Sequence, residues 1–401
     1  MNPIVLVTDG ENRSSLAVTR SLGCMGCRVI VTGNNCHNIS SQSKYCSAKY
    51  CITSASTHDR KCINEMVDVI KIEEVDFIFP MTETTIYSLI KFQKKIPTNV
   101  TWSAIHSDQI SQIFDKYNLF KLASKLYIDI PKTIFIGHPD ELPDKIVKIK
   151  EYPVVVKPGM SKIASDTGYL ATGVKYARSK NELEALYKNE KGLAYPSLIQ
   201  EKITGEGTGL FTLFDCDHPL ALFSHKRIRE KPPSGGVSVV CESIPLDQGM
   251  VDATQKLLSA VDWHGVAMVE FKRDDNDGKV KLIEINGRFW GSLQLAISAG
   301  VDFPQLLLRY LQGDNEFYSD FKYREGIQLK WLLGTLDHML IRLKNNDEDL
   351  HLPPGTPSKW RSVIDFLGIA GKATVYDVFN LKDMRPFFQE LKEYSKHITG
   401  R

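Results

Sequence analysis

An α/β fold, with a parallel sheet at its amino end, is predicted by three features of this sequence. In the N-terminal third, apolar β-branched runs alternate with helical spacing. From 152 to 300 the pattern changes to short strands, glycine loops and a hairpin. From 330 to 401 it reads as mostly helical. Strands alternating with helices form a parallel sheet with right-handed crossovers.

Taken in order, Ile4 to Thr8 is the first strand, and a helix with Leu16, Val18 and Leu22 on its apolar positions follows. Arg28 to Thr32 is the second strand. Asp76 to Pro80 is another, with a helix through Ile86, Leu89 and Ile90 behind it. Ligand groups should gather at the carboxyl ends of such strands. Pro80-Met-Thr82-Glu83-Thr84 sits at one of them, to bind substrate or to cap the helix. Residues 107–126 read as one helix, and Pro131 opens the extended PKTIFIG. The expected domains are 1–110, 111–310 and a helical extension over 311–401, with a loop at Leu352–Pro357.

The 401 residues are enough for two or three domains. A formal charge of +2 points to neither nucleic acid nor an anionic membrane. No apolar run approaches the roughly 20 residues that span a bilayer. The start, PIVLVT, does not read as a signal peptide, so the cytoplasm is the expected location. A dinucleotide cofactor is not expected. Thr8-Asp9-Gly10-Glu11-Asn12-Arg13 has one glycine where the fingerprint needs three. Six of the eight cysteines lie in the first 62 residues, with Cys24 and Cys27 as a C-x-x-C. That pair follows a helix instead of starting one, and no regular spacing supplies further metal ligands. Reduced thiols are expected.

Five segments carry chemistry. Val266–Phe271 and Val280–Ile285 read as a hairpin across the turn-rich 274–278. Glu270 and Glu284 each sit inside an apolar strand, where two unpaired carboxylates would be costly and would repel one another unless a cation lay between. Asn286 and Arg288 follow Glu284 at intervals of two, on the same strand face. An amide oxygen beside two carboxylates suits Mg²⁺, and Arg288 could hold a phosphate or carboxylate bidentately. The bland alternative is a surface hairpin with its acids in water. Lys157 ends a β-branched run and could aim a fixed charge at a phosphate; Lys116 could supply a second. Each could instead be an ordinary solvated lysine, Lys116 more readily than Lys157. The small-residue loop Gly159–Gly173 could cover phosphates with backbone N–H groups. Glu201-Lys202-Ile203 runs into a linker, and Glu206 follows.

These segments, in this order, resemble the ATP-grasp superfamily over roughly residues 1–310, most closely its carboxylate–amine ligase branch. The resemblance implies an N-terminal Rossmann-like pre-ATP-grasp domain. It implies next a two-subdomain α+β ATP-grasp fold, with a nucleotide-binding lid subdomain at about 130–205. It assigns Lys116 and Lys157 to phosphate binding. Glu201, Lys202 and Ile203 match the adenine linker, and Glu206 the ribose acid. Glu270, Glu284 and Asn286 match the metal ligands, and Arg288 the catalytic arginine. His225–Glu230 resembles an active-site lid, with Arg227 as its basic residue. The implied cofactors are ATP and Mg²⁺, with Mn²⁺ as a substitute. The implied partners are a small-molecule carboxylate and an amine; a homodimer stays open. The activity implied is acyl-phosphate formation followed by transfer to the amine. Carboxyphosphate chemistry, ligation onto a sugar or cofactor precursor, and non-catalytic nucleotide binding are the alternatives.

Overall fold

A computed structural model describes residues 2–102, 107–165, 168–314, 322–347, 349–350, 352, 358–367 and 373–399. The first sheet is parallel throughout. It comprises β1 (Ile4–Val7), β2 (Arg28–Gly33), β3 (Ala48–Cys51), β4 (Phe77–Phe79) and β5 (Thr101–Trp102), in the order β3-β2-β1-β4-β5. Central β1 is apolar at every position, as a strand covered on both faces must be. Helix Arg13–Cys24 buries Leu16, Val18 and Leu22, the positions its spacing singled out.

Residues 107–126 form two helices, not one. Ser107–Ile113 stops, and Asp115 caps a second helix, Lys116–Lys125, by accepting from the Tyr117 N–H. The break puts Lys116 at a helix start, with its side chain free to turn inward.

The second sheet is antiparallel, in the order β10-β7-β11-β6, from β6 (Thr133–Ile136), β7 (Val154–Pro158), β10 (Lys175–Ala177) and β11 (Ser197–Glu201). Between β7 and β10 lies a small hairpin, β8 (Lys162–Ser165) with β9 (Gly168–Ala171). The expected glycine loop is therefore a hairpin over most of its length; residues 166–167 lie outside the described residues.

The third sheet has seven strands. They are β12 (Gly207–Asp215), β13 (His218–Lys231), β14 (Val237–Ser243), β15 (His264–Arg273), β16 (Val280–Asn286), β17 (Gln328–Lys330) and β18 (Thr374–Tyr376). Their order is β16-β15-β12-β13-β14-β17-β18, antiparallel except for the last pair. A correction and an addition follow. The stretch His225–Glu230 is not a lid: it lies inside β13, paired to β12 and β14, and a turn begins only at Pro232. The C-terminal region, expected to be mostly helical, also supplies β17 and β18, which extend the third sheet. The loop at Leu352–Pro357 falls, apart from Leu352, outside the described residues.

One core joins the first sheet to the third: Val5, Val29 and Phe79 pack with Phe211, Trp290 and Phe303. The second sheet has its own core around Val156, Leu183 and Ile199. Reduced thiols are not found at every cysteine. The loop after β2 sets Cys36 beside Cys51 of β3, Cα atoms 4.8 Å apart, and the two form a disulfide. Cys24 and Cys27 are free. Among the described residues no helix is long and apolar enough to cross a membrane.

Candidate active site

The hairpin forms as the sequence indicates. Glu270 of β15 and Glu284 of β16 are direct cross-strand partners, as are Met268 and Asn286. Val269 and Ile285, on the opposite face, are fully buried in a separate apolar cluster. The alternation thus turns both acids and Asn286 to one face. That face is not water: the Glu270 and Glu284 side chains are 19% and 30% exposed. A register shift follows Glu270, a bulge of the kind that re-aims side chains.

The acids repel as expected, but the chain itself supplies counter-charges. Arg227 of β13 reaches Glu270 at 2.5 Å and also pairs with Glu230 at 2.8 Å. Lys116 reaches Glu284 at 3.4 Å and donates to the Ser161 hydroxyl at 2.9 Å. Burial works to raise both carboxyl groups. For Glu270 it prevails, with Glu284 adding to it against the opposing pull of Arg227. For Glu284 the Lys116 and Lys157 ammonium groups outweigh it and hold the carboxyl below its usual range. Arg227 is therefore a neighbour of the carboxylates, held on a strand, and its role over a triphosphate is not supported by a mobile lid.

Lys157 is 7% exposed, so it is no solvated lysine. Burial pulls its pKa down to about 8, with Lys116 contributing and Glu284 opposing. Its ammonium lies 3.5 Å from the Ile283 carbonyl and 5.4 Å from the Phe120 ring.

Three contacts step along β16 where the second sheet meets the third. Lys281 lies 3.4 Å from Glu201, Ile283 takes Lys157, and Glu284 takes Lys116. The linker end and the lysine end thus lie along one seam. In the linker, Ile203 is buried and its carbonyl accepts from Lys272 at 3.3 Å. Lys202 is exposed, 5.8 Å from the Tyr176 ring, and Glu206 is exposed, 3.9 Å from Lys226.

Arg288 donates to Asn286 at 3.0 Å and pairs with Glu83 at 3.4 Å, so the start of the helix after β4 also reaches the site. Thr82 caps the helix that follows it, accepting from Thr85, and lines a cavity with Glu284 and Arg288 as well. The capping expectation holds, and the segment also faces that cavity. Two features escaped the sequence reading. Arg13, first residue of its helix, lines the same cavity. Asp215, Cys216 and His264 bring ligand atoms within 4.8 Å of one another at the start of β15, six residues before Glu270. Neither belongs to a motif with a recognisable spacing.

Known proteins share this fold. A structure of the 2-oxoglutarate carboxylase biotin carboxylase domain from Hydrogenobacter thermophilus, in complex with MgADP, ADP and bicarbonate, superposes with a TM-score of 0.63 at 18% identity. The match covers 82% of this chain and 73% of that one. A family model described as ATP-grasp in the biosynthetic pathway with Ter operon matches residues 225–335, from β13 to the helix after β17.

This is an ATP-grasp fold.

Among curated proteins, this chain is 22% identical over 297 residues to the arginine-specific carbamoyl phosphate synthase large chain of Bacillus subtilis, covering 72% of this chain and 27% of that one. It is 32% identical over 107 residues to a probable alpha-L-glutamate ligase of Marinomonas sp., covering 27% of this chain and 33% of that one. The chain spans about a quarter to a third of the length of these relatives.

Proposed function

We propose that this protein is an ATP-dependent carboxylate–amine ligase that works through an acyl phosphate. One observation carries the reading: two buried lysines converge on a facing pair of carboxylates at the seam between two sheets, with Arg288 beside them. ATP would lie along that seam, adenine and ribose near Glu201, Lys202, Ile203 and Glu206, phosphates toward Lys116 and Lys157. The donors Glu270, Glu284 and Asn286 are all oxygens, which fits Mg²⁺, or Mn²⁺ in its place. Bound there, the metal would neutralise charge on the transferring phosphates.

The chain's own residues account for the rest. Lys116 and Lys157 exchange their contacts with Glu284 and Ile283 for phosphate oxygens, releasing Glu284 to serve as a ligand. A substrate carboxylate oxygen attacks the γ-phosphorus and ADP leaves. The amine then attacks the acyl carbon and phosphate leaves, with Arg288 stabilising the developing charge. Arg227 orients Glu270 and favours its ionised form against burial until the site fills. The β8–β9 hairpin, tied to Lys116 through Ser161, excludes water from the acyl phosphate.

Within this reading the first sheet, about 1–110, is the Rossmann-like pre-ATP-grasp domain, residues 111–310 are the ATP-grasp unit with its lid at about 130–205, and 311–401 is an extension. A small-molecule carboxylate and an amine are the partners, and the cytoplasm is the location. The likeness to the glutamate ligase supports carbon–nitrogen bond formation. The test is an ATP-hydrolysis screen against pooled carboxylates and amines, read by mass spectrometry. ADP, phosphate and an amide product support the reading; ADP formation that needs bicarbonate and no other carboxylate replaces it with carboxyphosphate chemistry.

A further inference from the structure

Arg13 stands where the first and third sheets meet. It lines a cavity of about 420 Å³ with Ser161, Lys162, Glu284 and Arg288. It also lines an adjoining cavity of about 290 Å³ with Arg227, Glu270 and Asn286. Val237, Glu284, Arg288 and Gly291 are common to both. Among the described residues its guanidinium makes one hydrogen bond, from Nη1 to Asp377. A guanidinium has five N–H donors, so the other edge keeps its bonding capacity. Nη2 turns toward Gly291, where a Cβ would lie 3.1 Å away, so the absent side chain leaves room for it.

Arg13 is held from the C-terminal region. Asp377, just past β18, is 3% exposed and takes the far edge. The Trp331 ring, just past β17, lies 4.0 Å from the guanidinium carbon. Trp331 is anchored in turn by its indole N–H, which donates to Glu390 at 2.6 Å. A buried carboxylate on one edge and an aromatic face beneath fix the plane of the guanidinium, leaving the opposite edge for a second oxyanion.

We propose that Arg13 and Arg288 together form the anion site that takes the substrate carboxylate and then the phosphate derived from it, and that Asp377 and Trp331 of the C-terminal region position Arg13 there. This rests on the ligase reading. It gives the C-terminal region a part in the chemistry: without it, the first helix would present an arginine with no fixed direction.

The probe is inorganic phosphate, titrated calorimetrically into full-length protein saturated with Mg·ADP, after the Mg·ADP affinity itself is measured. Arg13→Gln should weaken phosphate binding tenfold or more, a loss of about 1.4 kcal/mol, and change Mg·ADP affinity less than twofold. Asp377→Asn should weaken phosphate binding less, again without touching Mg·ADP, a split that a merely structural role would not produce. Removing Arg13 alone strands a buried carboxylate, so Arg13→Gln/Asp377→Asn, which neutralises both, guards against misfolding and should reproduce the loss. Phosphate affinity within twofold of wild type in the folded double variant overturns the proposal, as does wild-type protein that binds Mg·ADP but no phosphate. Wild-type protein that fails to bind Mg·ADP sinks the ligase reading first, and this inference with it.

Discussion

Lys157 is held where an ammonium is uncomfortable, and its titration offers a test of its proposed role. Burial lowers it to about 8, so it is charged below that pH and loses its proton above it. If that charge binds phosphates, nucleotide affinity is level below about pH 8 and falls by up to tenfold per unit above. Lys157→Ala should weaken binding at neutral pH and abolish the slope. A slope that survives in the alanine variant assigns the titration to another group. Glu284→Gln keeps shape and one acceptor oxygen but loses the charge. Turnover should fall roughly 10²–10³-fold or more, while ATP affinity, carried largely by the linker, falls far less. Single-turnover ADP formation beside a binding titration decides; a folded variant turning over at near wild-type rate removes Glu284 from the metal site.

At the level of elements, the hairpin was legible because a period of two inside apolar strands leaves carboxylates only one sensible face. Glu270 and Glu284 were placed by that rule, and so were Asn286 and Arg288. Their counter-ions were not legible. Arg227 reads from the sequence as the basic residue of a lid, and only the pairing of β13 beside β12 brings it to Glu270. The break at Asp115 was hidden because apolar spacing continues through it; a cap, not a pattern, ends the first helix. The strand β18 is three residues long, too short for periodicity to register. Gly287 lies between Asn286 and Arg288, outside the reach of the period-two rule. A Cβ there would lie 2.3 Å from Trp263 Cη2 and 2.6 Å from Phe114 Cε1, so the ring edges require glycine. Gly287→Ala should cost about 1–3 kcal/mol through overpacking and tilt the metal-side residues with it. A thermal melt equal to wild type contradicts that packing.

For the whole molecule, the long-range contacts bind the amino and carboxyl ends. Arg20 of the first helix donates to Asp383 at 2.9 Å and to the carbonyls of Asp377, Val378 and Asp383, all buried. Asp383 also accepts from Ser43 and from the Lys44 N–H. These pairs join residues more than 300 positions apart, which no local pattern in one sequence reveals. Breaking a buried pair strands a charge, so Asp383→Ala should destabilise the protein by about 3 kcal/mol or more. Denaturant unfolding checks this; a change below about 1 kcal/mol would mean that water replaces the carboxylate. The same tie explains why the C-terminal region, read from sequence as a helical extension, reaches the site at Arg13.

The central claim is that the γ-phosphoryl group passes to a carboxylate. The most direct measurement feeds ¹⁸O-labelled carboxylates with ATP, Mg²⁺ and pooled amines, and follows the label by mass spectrometry. An acyl phosphate releases its bridging oxygen with the phosphate, so ADP should form together with ¹⁸O-labelled inorganic phosphate and an amide that has lost one ¹⁸O. Stoichiometric AMP and pyrophosphate, or an amide formed with ADP and unlabelled phosphate, would contradict the account.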